Sequence, residues 1–152
     1  MVTRGGGRIV NVASIAGRMP APGMAIYTAT KFAVVGFGDA LDAELPGSGV
    51  RVSTLLPSFA STDLISGTTS GPLTRPIPPE KVAATVLTVL RRGRRQAVIP
   101  GYLPGGSALW QLFPRPVAGI LRRSIGLDRI FLDVGPDRAA YAQRIAQSPA
   151  DS

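Results

Sequence analysis

Two short apolar runs rich in β-branched residues lie on either side of a long segment with helical periodicity, and this order limits the fold most strongly. The first run covers residues 8–14 and the second covers residues 50–57. Between them, from about Met24 to Leu45, apolar residues recur every three or four positions, which is typical of a helix packed on one face. Strands joined through a helix are expected to lie parallel in one sheet. Antiparallel neighbours are usually joined by a hairpin turn, which is too short to contain a helix.

The alternation continues with a second helix and a third strand. Pro79 and Glu80 are expected to begin a helix that runs to about Arg92, because proline and an acidic residue both favour a first turn. Residues 96–100 form another short apolar run. The sequence therefore predicts an α/β fold with three parallel strands and crossover helices. Three strands leave one apolar edge uncovered, so we expect this sheet to be part of a larger one.

Two further stretches lie outside these predicted strands and helices. Residues 58–79 are rich in Ser, Thr, Gly and Pro and are too long for an ordinary connector. We expect them to form a loop that covers a binding site. Residues 101–152 are expected to form a C-terminal helical extension, with helices over residues 109–121, interrupted by prolines, and over residues 136–147.

No cysteine or histidine occurs among the 152 residues, and this removes several kinds of site. Disulfide frameworks, thiolate catalysis and Ser-His-Asp hydrolysis are excluded, and no metal site is expected. Catalysis by this chain has to use Tyr, Lys, Ser, Asp or Glu. The 17 basic and 9 acidic residues give a net charge of +8. This surplus allows an anionic partner such as phosphate, nucleic acid or an acidic membrane, but it identifies none of them.

A tyrosine and a lysine lie one turn apart on the first predicted helix. Tyr27 and Lys31 are four residues apart, which places both side chains on one helix face. Two interpretations are open, because the pattern Y-x-x-x-K also arises by chance as an ordinary aromatic residue beside a solvated lysine. In the chemical interpretation, a positive charge near a phenol favours the phenolate form and suits the phenol to acid–base catalysis.

A serine is expected at the same edge of the sheet. Ser14 ends the first predicted strand and Pro57 ends the second. Ligands of open parallel sheets bind at the carboxyl ends of the strands. The serine hydroxyl, the phenol, the ammonium group and the following loop are therefore expected to converge there. The alternative for Ser14 is a strand-end hydroxyl that only satisfies nearby backbone groups.

Four motifs of this sequence occur in the order and spacing of one enzyme family. Residues 7–17 resemble its strand motif G-x-I-V-N-[VI]-[SA]-S-x-A-G, and residues 27–37 resemble its helix motif Y-x-x-x-K-x-A-x-x-G-[FL]. Residues 40–52 resemble its passage A-L-x-x-E-L followed by G-[IV]-R-V. Residues 57–62 resemble its P-G-x-x-x-T, with serine where glycine is usual. The chain is identified as a member of the short-chain dehydrogenase/reductase family, with a match that is dense over residues 5–63 and loose to about residue 100.

The resemblance implies a partial Rossmann-type sheet and an oxidoreductase that uses NAD or NADP on a small-molecule alcohol or carbonyl. It implies that Tyr27 exchanges the proton with the substrate oxygen, that Lys31 hydrogen-bonds the nicotinamide ribose and assists the phenol, and that Ser14 holds the substrate oxygen. The residues that would border the nicotinamide are Pro57, Ala60 and Thr62. A hydrophobic substrate is favoured by the apolar loop residues Phe59, Leu64 and Ile65. The complete enzyme is expected to be a homo-oligomer.

Two departures from the family pattern concern the dinucleotide and a catalytic asparagine. Gly5 to Gly7 precede a strand instead of following one, so they cannot place backbone N–H groups under a pyrophosphate. The family's catalytic asparagine has no counterpart, because Asn11 lies within a strand, where it is better interpreted as structural. We therefore expect residues 1–100 to be the C-terminal half of a Rossmann-like domain in a longer enzyme, with Met1 an internal or misassigned start. The alternative is a short reading frame whose product does not fold stably.

A rival interpretation is an inactive fragment or a basic binding module. Residues 91–95 and 122–123 hold arginines that could contact phosphates, and residues 102–113 could lie at a lipid interface. We favour a solvated helix end for the arginines and a hydrophobic arm that packs on the subunit or a partner. No nucleic acid is therefore expected, and membrane contact is not favoured. Residues 1–8 contain no apolar run that resembles a secretory signal, so a cytoplasmic location is expected.

Overall fold

The computed structural model describes residues 1–20, 22–59, 76–101 and 112–124. Strands and helices alternate along these residues as the sequence predicts. The elements are a 3₁₀ helix (Val2–Arg4), strand β1 (Gly7–Val12), a 3₁₀ turn (Ile15–Gly17), helix α1 (Ala25–Glu44), strand β2 (Val50–Pro57), helix α2 (Pro79–Arg92), strand β3 (Gln96–Ile99) and helix α3 (Arg115–Ser124).

The three strands form one parallel sheet in the order β1-β2-β3. Asn11 on β1 and Gln96 on β3 are both register partners of Thr54 on the central strand. The ladder continues past the end of β1, because the backbone N–H of Ala13 donates to the carbonyl of Leu55 at 2.8 Å. The predicted α/β fold with a three-stranded parallel sheet is confirmed.

Two hydrophobic clusters lie on opposite faces of β2. Successive strand residues point to opposite faces, and Leu55 and Leu56 are both fully buried. Leu55 packs with Val89 of α2, and Leu56 packs with Val35 of α1. The two helices therefore cover different faces of the sheet, and the central strand is apolar on both sides for that reason.

Strand β1 is an edge strand in the part of the chain that the structure describes. It pairs with β2 on one side, and no described strand pairs with its other side. Val12, at its carboxyl end, is half exposed. An uncovered edge, as the sequence predicts, is therefore present at β1, and β3 forms the other edge of the described sheet.

Helix α1 approaches the sheet closely at a glycine. A Cβ atom added to Gly38 would clash with the hydroxyl of Thr54 and would lie 3.3 Å from Nδ2 of Asn11. Thr54 is only 1% exposed and its branched side chain has little freedom to turn away. The missing side chain at Gly38 therefore allows the helix to pack against β1 and β2.

This contact predicts opposite effects of the same substitution at two glycines of α1. Gly38→Ala is expected to lower the free energy of unfolding by about 1–3 kcal/mol through overpacking. Gly36→Ala, where a Cβ meets no atom within 4 Å, is expected to raise it by about 0.5–1 kcal/mol, because alanine is the better helix former. Urea unfolding followed by circular dichroism measures both. Equal shifts of the two variants would contradict the close approach.

The helix ends agree with the sequence in one case and differ in another. Helix α2 has the predicted bounds, with Pro79 in its first turn and Gly93 ending it at φ 63°. Helix α3 begins six residues later than predicted, because Pro116 occupies its first turn, where no N–H donor is needed. The predicted helix over residues 136–147 lies outside the described residues. Within the described ranges, every helix is too short or too polar to cross a lipid bilayer.

Candidate functional site

Tyr27 and Lys31 lie in the first two turns of α1 and share one face. The ammonium nitrogen of Lys31 is 5.4 Å from the centre of the Tyr27 ring, over the ring. Both residues are half buried, so their polar ends remain open to a ligand. A cation over an aromatic ring is itself a favourable contact, and it holds the ammonium group close to the phenol. The pair can therefore exchange a proton and bind a hydroxyl-bearing ligand at one place.

Ser14 lies two residues after the end of β1, at the carboxyl edge of the sheet. It is 5% exposed and has an extended backbone. Its hydroxyl donates to the carbonyl of Pro57 at 3.4 Å and accepts from the backbone N–H of Ala16 at 3.2 Å. The hydroxyl thus joins the ends of β1 and β2 and caps the 3₁₀ turn, which is the backbone-satisfying role weighed above. Because the bond to Pro57 is long, its proton is available to a better acceptor.

The 3₁₀ turn after Ser14 packs directly on the backbone of α1. A Cβ atom added to Gly17 would lie 2.6 Å from the carbonyl oxygen of Lys31 and 2.8 Å from Cγ2 of Val35. Only glycine fits so close an approach. Gly17 therefore sets how near the serine-bearing turn comes to the helix of Tyr27 and Lys31. Gly17 belongs to the strand motif, but this role was not predicted, and the only signal for it in the sequence is a glycine three residues after Ser14.

Pro57 is buried at the end of β2, and the predicted covering loop starts just beyond it. The backbone N–H of Ile77 donates to the carbonyl of Phe59 at 2.6 Å. The two ends of the segment over residues 60–75 therefore meet at the carboxyl edge of the sheet. Ala60 and Thr62, the other two residues predicted to border a nicotinamide, lie outside the described residues.

Two polar side-chain atoms near α1 are buried without a hydrogen-bond partner in the described structure. They are Oγ1 of Thr28, which follows Tyr27, and Nδ2 of Asn11 on β1. Buried polar groups are normally paired, so each marks a place with unused hydrogen-bonding capacity. No sequence motif pointed to Thr28, and Asn11 was predicted to be structural.

Two acidic side chains of α1, Asp39 and Asp42, have partners at positions remote from the phenol. Asp39 pairs with Arg18 at 3.3 Å and accepts from Gln96 at 2.8 Å, and Asp42 pairs with Arg95 at 3.0 Å. Twelve residues of helix separate Asp39 from Tyr27, or about 18 Å. Among the described residues, no three His, Cys, Asp or Glu side chains group as metal ligands would. Among the described residues, the acidic groups Asp39 and Asp42 are thus engaged away from Tyr27, Lys31 and Ser14.

The family model described as short chain dehydrogenase matches residues 1–72. The chain is 38% identical over 92 residues to a 3-oxoacyl-[acyl-carrier-protein] reductase of Synechocystis, a match that covers 57% of this chain and 37% of that protein. It is 33% identical over 132 residues to the estradiol 17-beta-dehydrogenase 11 of Rattus norvegicus, a match that covers 84% of this chain and 43% of that protein. The chain spans less than half the length of these curated relatives.

The solved structures that resemble this chain are also short-chain dehydrogenases. A short chain dehydrogenase from Burkholderia cenocepacia in complex with NADP has a TM-score of 0.63 and 25% identity, with 78% of this chain and 48% of that chain covered. A short-chain dehydrogenase from Sphingobium yanoikuyae in complex with NADPH has a TM-score of 0.60 and 28% identity. This match covers 79% of this chain and 46% of that chain. The described fold therefore corresponds to about half of each neighbour.

Proposed function

Because this chain belongs to the short-chain dehydrogenase family, we propose that it carries the proton-transfer part of an NAD(P)-dependent oxidoreductase acting on an alcohol/carbonyl pair. The observation that carries the proposal is the Lys31 ammonium group, 5.4 Å from the Tyr27 ring centre. The helix bearing this pair is held against the turn that follows Ser14.

Each of the three polar residues has a separate role. The phenol of Tyr27 gives its proton to the substrate oxygen in carbonyl reduction and takes it back in alcohol oxidation. The nearby positive charge of Lys31 stabilises the phenolate that is left. The hydroxyl of Ser14 turns from the Pro57 carbonyl to the substrate oxygen and donates to the negative charge that develops there. The nicotinamide, when bound, supplies or accepts the hydride at the substrate carbon.

The residues at the carboxyl edge fit the nicotinamide end of such a cofactor. Lys31 offers N–H donors to ribose hydroxyls, and Pro57, which ends β2 at the same edge of the sheet, is proposed to border the nicotinamide. Ala60 and Thr62 are proposed to continue this border. The NADP and NADPH complexes of the two structural neighbours support a nicotinamide dinucleotide.

The substrate is proposed to be a small hydrophobic alcohol or ketone. Phe59 is half buried at the start of the covering segment, whose ends meet at the site. The names of the relatives, a 3-oxoacyl reductase and an estradiol dehydrogenase, support a carbonyl or hydroxyl group on a largely apolar molecule. A homo-oligomer remains the proposed assembly of the complete enzyme.

The 152-residue chain alone is expected to bind NAD(P)H weakly. In the sequence, Gly5 to Gly7 precede a strand, and Pro100 and Pro104 interrupt the glycines that follow the third strand, so neither stretch matches the glycine-rich turn that anchors a pyrophosphate. Titration calorimetry with NADH and NADPH is expected to show no saturation up to about 1 mM. Micromolar affinity for either cofactor would overturn the assignment of this chain to the proton-transfer part alone.

Activity is tested in a chimera that supplies a dinucleotide-binding part. The segment of the Synechocystis reductase that precedes its match to this chain is placed before residue 1, and turnover is followed by nicotinamide absorbance. We expect hydride transfer with secondary alcohols or ketones. A folded chimera that binds NADPH but turns over none of these substrates would contradict the proposed function.

A further inference from the structure

Two arginines on neighbouring strands converge on the end of helix α2. Arg8 of β1 and Arg51 of β2 are register partners. They lie on the face of the sheet that α2 covers, since Leu55, four residues after Arg51, packs with that helix. The Nη1 atoms of Arg8 and Arg51 lie 3.0 and 3.3 Å from the position that a Cβ atom on Gly93 would take. The two guanidinium groups are therefore no farther apart than the sum of these distances.

The positive charge at this place has no described acidic counterpart. Both converging arginines are exposed, and the guanidinium group of neither has an ion pair or hydrogen bond with any residue that the structure describes. Arg92 and Arg94, on either side of Gly93 in the sequence, are exposed as well. The next arginine differs, because Arg95 pairs with Asp42 at 3.0 Å.

The carboxyl end of α2 offsets only a small part of this charge. The helix ends at Gly93 with φ 63°, a conformation that glycine adopts readily. A helix end of this kind is equivalent to about half of a negative charge, whereas two guanidinium groups carry two positive charges. Like charges held this close repel each other. The place therefore has an excess of positive charge that a bound anion would neutralise.

We propose that Arg8 and Arg51 bind the terminal phosphate group of a small phosphorylated molecule. Each guanidinium group donates through a planar fork of N–H groups that matches phosphate oxygens. Two forks that meet at one point fit a single compact anion better than the repeated phosphates of a nucleic-acid strand. A phosphate monoester also carries close to two negative charges at about pH 7, whereas each phosphodiester of a nucleic acid carries one.

This phosphate site is remote from the site of the proposed reaction. Arg8 is the second residue of β1, and Ser14 lies beyond the other end of the same strand. Six residues of extended chain span about 20 Å. The phosphorylated molecule is therefore a separate ligand from the substrate and the nicotinamide, and its binding does not depend on the proposed activity.

Titration calorimetry of the whole 152-residue chain with methyl phosphate tests this proposal. At about pH 7.5 and a constant ionic strength of about 0.15 M, we expect one saturable site per chain with a Kd of about 1 mM or lower. Inorganic phosphate is expected to bind similarly, because it too carries close to two negative charges. Dimethyl phosphate, with the single charge of a phosphodiester, is expected to bind at least about fivefold more weakly.

Three variants with the same change of charge separate the two converging arginines from the general positive charge of the chain. Arg8→Gln and Arg51→Gln are each expected to weaken the binding of methyl phosphate about tenfold, because each removes one fork. Arg95→Gln is the matched control, since this arginine is engaged by Asp42, and it is expected to change the Kd less than about twofold. Arg51→Lys keeps the charge without the planar fork and is expected to give an intermediate Kd. Circular dichroism compares the folding of all variants.

Three results would contradict the proposed phosphate site. Absence of saturable binding up to about 20 mM methyl phosphate would overturn it. Equal losses in Arg51→Gln and Arg95→Gln would show a general effect of net charge instead of a site. Binding of duplex DNA that these two variants weaken alike, without saturable binding of methyl phosphate, would replace the small ligand by nucleic acid.

Discussion

Tyr27→Phe is expected to lower kcat/KM for hydride transfer by about 10³-fold or more in the chimera, with the fold unchanged. The substitution removes one hydroxyl and keeps the ring beneath the Lys31 ammonium group, 5.4 Å away. Tyr27 is half buried in the first turn of α1, so phenylalanine fits the same space. A large loss of rate would therefore report lost proton transfer and not lost structure.

The matched control is Tyr141→Phe, which removes a phenol hydroxyl outside every motif of the site. Its kcat/KM is expected to stay within about twofold of the parental value. Initial rates are measured by nicotinamide absorbance on a panel of secondary alcohols and ketones, with circular dichroism as the control for folding. Near-parental turnover of a folded Tyr27→Phe chimera would rule out the acid–base role of this residue.

The strands and the helix between them were predictable because local patterns determine them. Residues 50–57 are mostly apolar or small apart from Arg51, and every residue of β2 except Arg51 is buried, as such a run indicates. Helix α2 has explicit start and stop signals in Pro79 and Gly93, and its bounds match the prediction. Helix α3 was misplaced because Pro116 was interpreted as a break, although proline in a first turn is compatible with a helix.

The distances between elements were not predictable from the sequence. Periodicity indicates which face of α1 packs on the sheet, but it does not give the height of the helix above it. That height depends on Gly38 over Thr54 and on Gly17 against Lys31, which are pairs far apart in sequence. The bond from Ser14 to the carbonyl of Pro57 joins residues 43 positions apart and likewise depends on strand register.

Some predictions remain open. The roles of Ala60 and Thr62 concern residues outside the described part of the chain. The division into residues 1–100 and 101–152 and the expectation of a longer enzyme also stay predictions. Sequencing the genomic DNA upstream of Met1 tests the expectation of a longer enzyme. An in-frame extension that encodes a strand, a glycine-rich turn and a helix would be expected there.

Gly17→Ala is expected to lower kcat/KM of the chimera by about 10²-fold, although Gly17 has no group that could take part in the chemistry. The added methyl group would lie 2.6 Å from the Lys31 carbonyl oxygen and 2.8 Å from Cγ2 of Val35, so the turn and α1 have to separate. This separation moves Ser14 away from the helix that carries Tyr27. A displacement of about 1 Å between reacting groups is enough for such a loss. The overpacking is also expected to lower the free energy of unfolding by about 1–3 kcal/mol.

Gly36→Ala is the matched control, because it makes the same change on α1 in open space. It is expected to leave kcat/KM within about twofold of the parental value and to raise stability slightly. Rates are measured at a temperature at which urea unfolding shows both variants to be folded, so that lost stability cannot account for lost rate. A Gly17→Ala chimera that is less stable but fully active would show that the turn supports the fold without setting the geometry between Ser14 and Tyr27. A loss of rate confined to Gly17→Ala would instead make the spacing between turn and helix a requirement of the chemistry.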